Sequence, residues 1–65
     1  MSATRDFYLA RAEESAADAQ AAVLDNVRER CLRSEAAWRE MADRLIRNEM
    51  LRDKVAAAKA ANLAV

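Results

Sequence analysis

The sequence predicts an all-α fold: one antiparallel two-helix hairpin with a longer second helix, a single domain over residues 1–65. Three observations predict it. The chain has no glycine and no proline, and the strong helix formers alanine, arginine, glutamate and leucine dominate it. Its apolar stripe slips by one residue in the stretch AAVLDNVRERC, residues 21–31, which a straight helix would not tolerate. The core is also thin: of the residues that make the chain 54% hydrophobic, seventeen are alanine and eighteen are larger. At about 25 cal/mol per Å² of buried apolar surface, alanine contributes little against the entropy of ordering a residue. The hairpin is therefore expected to complete a bundle, by self-association or with a partner.

The first helix is expected over about residues 4–23. Ser2 or Thr4 offers an N-cap, and Asp6 stands near the positive end of the helix dipole. Tyr8 or Leu9, then Ala12, Ala16, Ala19 and Val23, recur on one face. Continued at the same spacing, that face would carry Asn26, Arg30, Arg33, Ala37 and Glu40, most of them charged. The apolar residues instead follow Val27, Cys31, Ser34, Trp38, Met41 and Leu45. Asp25 and Asn26 are good N-caps, Asn26 with Glu29 resembles a capping box, and Asn26 can take the left-handed conformation that glycine usually supplies. These signals place a turn at about residues 24–26 and the second helix over about 26–61.

Antiparallel folding about residue 25 sets Val23 against Val27, Ala19 against Cys31, Ala12 and Ala16 against Trp38, and Leu9 against Met41. The expected core seam is Leu9, Ala12, Ala16, Val27, Cys31, Trp38, Met41 and Leu45, with small residues opposite the one indole. The outer face of the second helix offers four pairs at i,i+4 spacing: Glu29–Arg33, Glu35–Arg39, Glu40–Arg44 and Asp43–Arg47. Each contributes about 0.3 kcal/mol, which reads as a solvated face and not a site.

The two lengths disagree. The first helix spans about 30 Å and the second about 52 Å at 1.5 Å per residue. Pairing runs out near Leu45 and Ile46, leaving Met50, Leu51, Val55 and Ala58 as an apolar strip that nothing in the chain covers. These four are the expected partner-binding residues, in the manner of a helix in a groove.

Several chemistries have no residues to carry them. Without histidine the chain lacks the commonest general base and metal ligand, and one cysteine makes neither a zinc site nor a thiol–imidazole pair. Without glycine there is no phosphate loop. Glu13, Glu14 and Asp18 gather carboxylates on the first helix, but the Glu-x-x-His element of di-metal bundles is missing. Cys31, on the core stripe, reads as a small buried hydrophobe. No cofactor, no metal and no catalysis are expected.

Net charge is zero, yet residues 1–25 carry two bases against five acids and residues 26–65 carry nine against six. Halves that pack together would have complementary fields. The arginines of the second half spread around the helix among acids, where a phosphate-tracking face would concentrate them, so nucleic acid is not the favoured partner. The single cysteine suits a reducing compartment, and no long apolar run or charged-then-apolar leader stands out. A cytoplasmic protein without a membrane span is expected.

The segment LDNVRERCLRSEAAWREMADR, residues 24–44, with its lead-in FYLARAEESAADAQAA, resembles short uncharacterised alanine-rich helical proteins of alphaproteobacteria. Tyr8, Ala12, Glu13, Arg28, Cys31, Leu32, Ala36, Trp38, Met41 and Ala42 carry the likeness, which covers roughly residues 5–47. It implies a helical hairpin and no known activity, and it brings no functional residues with it.

The function expected from all this is a non-catalytic protein–protein interaction module. It would be either a self-associating hairpin or a small accessory subunit of a larger complex. The alternative is a small regulator that applies its arginine-rich second helix to nucleic acid or to an acidic protein surface.

Overall fold

The computed structural model describes residues 3–63 and is a helical hairpin. Helix α1 runs Ala3–Ala21 and helix α2 runs Asp25–Leu63, antiparallel to it. Arg5 near the start of α1 reaches Glu49 far along α2, while Arg28 near the start of α2 reaches Ala22 at the turn. The expected hairpin with a longer second arm is what forms. Of the two proposed N-caps for α1, Thr4 lies inside the helix and Ser2 lies outside the described residues.

The turn is residues 22–24, two residues earlier than the sequence signals place it. Asn26 is the second residue of α2, and no described residue has a positive φ, so the left-handed role expected of Asn26 is not used. The chain turns by other means. The Ala22 amide donates to the Ala19 carbonyl at 3.3 Å, a tightened last turn. The Leu24 carbonyl then accepts the first bond of α2 from the Arg28 amide at 3.0 Å, which makes Leu24 the N-cap by position. The Ala22 carbonyl accepts from the Arg28 guanidinium at 3.0 Å, and that same guanidinium lies 3.4 Å from the Asp25 carboxylate. One arginine thus supplies the carbonyl partner that a glycine-ended helix would find in its own backbone.

Ending α1 early swings Val23 out of the seam. It is 90% exposed, where pairing with Val27 was expected, and Leu24 beside it is exposed too. The residues that do face across are in strict three-and-four rhythm. On α1 they are Arg5, Tyr8, Ala12, Ser15 and Ala19, with Ala22 of the turn next in line; on α2 they are Cys31, Glu35, Trp38, Ala42, Leu45 and Glu49. Such a repeat keeps one stripe of each helix against the other along the whole stem.

The fully buried residues of the described chain are all alanines: Ala12, Ala19 and Ala42. Small side chains at the contact let the helix axes come close. The larger seam residues Leu9, Val27, Cys31, Trp38, Met41 and Leu45 are half-buried, as is Ala16. Ser34, expected in the stripe, is exposed, and the stem of Glu35 occupies the seam instead. A large side chain buried completely at an alanine seam would force the helices apart, so the bulky residues are only partly covered.

Trp38 shows this most clearly. Its expected neighbours were Ala12 and Ala16. Its ring packs edge-on against Phe7 at 5.9 Å and tilted against Tyr8 at 5.8 Å, with the Arg11 guanidinium 5.4 Å from the ring centroid. Phe7 and Tyr8 are 6.0 Å apart, so the three aromatic residues of the chain form one cluster. Aromatic pairs at these separations contribute about 0.5–1.5 kcal/mol each beyond area burial.

Across the open end of the stem, Arg5 and Glu49 pair at 3.0 Å with side chains only 18% and 27% exposed. Of the four outer pairs expected on α2, Glu35–Arg39 closes at 2.8 Å and Glu40–Arg44 at 3.8 Å. The other two, Glu29–Arg33 and Asp43–Arg47, are not within ion-pair distance. An exposed pair gains about as much from Coulomb attraction as it loses in side-chain freedom, so its formation is not assured.

Candidate interaction surface

α2 is twice the length of α1, about 58 Å against about 28 Å, and the molecule measures 62 × 16 × 12 Å. Glu49 is the last residue of α2 with any substantial cover. From Met50 to Leu63 every residue is exposed, so α2 leaves the stem as a bare helix of about four turns.

The strip named from the sequence lies on this overhang. Met50 is 59% exposed, Leu51 60% and Val55 55%, and Ala58 is exposed with them. Two shallow grooves run along it. One is lined by Arg47, Met50, Leu51 and Lys54, and the other by Leu51, Arg52, Val55, Ala56 and Lys59. Leu51 forms the ridge between them. Each groove has an apolar floor and a cation at either end. Arg47, Arg52, Lys54 and Lys59 are all exposed, and none reaches an acid of the described chain within 4.0 Å. The sequence reading picked out the apolar floor and missed these four cations.

The strip does not continue the seam. At about 100° per residue, Leu51 and Ala58 lie nearly opposite Ala42 and Glu49, the residues that face α1. Along the seam direction the overhang carries Arg52, Ala56, Lys59 and Leu63 instead. The apolar face of α2 therefore changes sides where α1 ends.

On the stem, one groove is lined by Ala16, Ala19, Gln20, Arg28, Leu32 and Glu35, and another by Tyr8, Met41, Arg44 and Leu45. Leu32 is 47% exposed and Phe7 54%, on different sides of the hairpin. Neither groove has the run of large apolar residues that the overhang has. Cys31 is free and half-buried beside the seam. Among the described residues no three of histidine, cysteine, aspartate and glutamate gather as metal ligands would, Glu13, Glu14 and Asp18 included. None of the described helices is long and apolar enough to cross a membrane.

No family model, curated protein or solved structure matches this chain.

Proposed function

We propose that this chain is a non-catalytic protein–protein interaction module, in which the hairpin stem is a support and the α2 overhang is the surface that partners cover. The observation that carries the proposal is the abrupt loss of cover at residue 50, where three large apolar residues follow in two turns at 55–60% exposure. Exposed apolar residues scattered singly need no explanation, but a contiguous strip rimmed by polar groups marks an interaction surface. A helix of about fourteen residues is marginal in water when isolated. Continuity with the stem pre-orders its base, which lowers the entropy a partner must overcome on binding.

The reading extends to a coiled-coil-like partner mode, a self-associated assembly or an accessory subunit, and a cytoplasmic setting that suits one unpaired cysteine. Arginine placement supports a protein partner over nucleic acid. Arg11, Arg28, Arg39 and Arg44 each lie within 4.0 Å of an acid, so their charge is partly answered within the chain.

Removing residues 50–65 tests the proposal while leaving the Arg5–Glu49 pair in place. The truncated chain is expected to keep its stem helicity by circular dichroism and to lose the assembly mass seen for the full chain in native mass measurement. A truncated protein that assembled as the full chain does would move the interface to the side of Phe7, or of Leu32 and Ile46.

A further inference from the structure

The charges of this chain are sorted by segment. Helix α1 carries two arginines against four acids, a net of −2. The covered part of α2, residues 25–49, carries six bases against six acids. The overhang, residues 50–63, carries Arg52, Lys54 and Lys59 against Asp53 alone, a net of +2. The acidic segment and the basic segment are thus equal and opposite, and within one copy they do not meet. α1 begins at Ala3, beside the level of Glu49, and the overhang runs on past it.

The two segments also differ in side-chain size. The overhang strip offers Met50, Leu51 and Val55. The face of α1 turned away from the seam carries Ala3, Ala10, Glu14, Ala17 and Ala21, all exposed, with half-exposed Phe7 at its edge against Trp38. Exposed Glu13 and Asp18 lie on either side of that face, and neither pairs with a base within 4.0 Å. Lys54 and Lys59 border the overhang strip in the same way. The strip from Arg47 to Lys59 is about 20 Å long and fits within the 28 Å or so of α1.

From this complementarity we infer that the overhang of one copy docks along the outer face of α1 of a second copy. This inference rests on the proposed role of the overhang and names its occupant. Large side chains fill the shallow alanine face, and the unpaired cations of one copy meet the unpaired acids of the other. Overhang against overhang is disfavoured, because Arg47, Lys54 and Lys59 of each copy would face one another. The contact joins unlike surfaces that lie on opposite sides of α2, so a bound second copy still presents its own free overhang. Such a heterologous contact propagates head to tail and does not close on a two-fold axis.

A charge-exchange experiment tests it. One variant carries Lys54→Glu and Lys59→Glu, the other Glu13→Lys and Asp18→Lys. All four positions are exposed, and circular dichroism is expected to show unchanged helicity. The wild-type chain in dilute buffer should show a sedimentation mass that rises with concentration past that of a dimer, and falls as salt screens the contact. Each variant alone should associate roughly tenfold or more weakly, since like charges then meet at the contact. An equimolar mixture should regain association, because each variant's overhang now matches the other's α1. A wild-type chain that is monomeric at every concentration overturns the inference, even if removing residues 50–65 still costs it a foreign partner. A mixture no stronger than its components also overturns it.

Discussion

The stem and the overhang are drawn from the same residue types and adopt the same helix, yet they are stabilised differently. Along residues 25–49 the α2 residues at heptad spacing meet α1, with Ala42 at the centre fully buried. Along residues 50–63 no other described residue covers α2, and what holds the helix is alanine propensity and attachment to the stem. Secondary structure alone therefore does not report where this molecule is stable. Tertiary cover does, and it stops at Glu49.

The change expected to break the comparison most severely is Trp38→Ala. It removes the ring that joins Phe7, Tyr8 and Arg11 and leaves their surfaces facing water. Trp38 is half-buried, so the loss is expected at the lower end of the range for large aromatic truncations, about 3 kcal/mol. In a chain with so small a core that removes much of the stability, and the thermal unfolding midpoint should fall by many degrees. If the variant melts with the wild type, the aromatic cluster does not hold the stem.

A paired substitution sharpens the contrast. Ala42 is 0% exposed in the seam, and Ala58 is exposed on the overhang. Ala42→Leu must push α1 away to fit, at about 1–3 kcal/mol of overpacking, whereas Ala58→Leu has room and costs the stem nothing. Denaturant midpoints of the two variants should separate accordingly. Equal midpoints would mean that the seam is looser than its buried alanines indicate.

Much of this arrangement was legible in the sequence, and the misses share a cause. The absence of glycine and proline predicted helix, the slip of the apolar stripe predicted two of them, and their unequal lengths predicted the overhang. The turn was misplaced because no residue is dedicated to stopping α1: the stop depends on Arg28 reaching back to Ala22, a contact visible only in three dimensions. Ala42 was overlooked because a stripe traced through large residues passes over the small one at its centre. Phe7 and Arg11 were overlooked at Trp38 because they sit on the edge of α1, outside its apolar stripe. The cations that rim the strip, Arg47, Arg52, Lys54 and Lys59, were not singled out, since only the structure shows them without an acid within 4.0 Å among the described residues.

The smallest effect expected lies at the border between the two regions. Arg5 and Glu49 close the open end of the stem, and at 18% and 27% exposure their side chains are better shielded than the other ion pairs among the described residues. Glu49→Gln keeps the size and one acceptor but removes the charge, at about 0.5–1 kcal/mol for a pair that water still reaches. Because the contact is the last one before the overhang, its loss should act locally. The first turns of α1 should exchange their amides faster, while exchange near Ala12 and Ala19 stays as in the wild type. The same acceleration should appear in the wild type at high salt, where the pair is screened. Unchanged exchange at residues 5–9 in the variant would show that the end of the stem is held by Tyr8 and Leu45 alone, with the ion pair as a bystander.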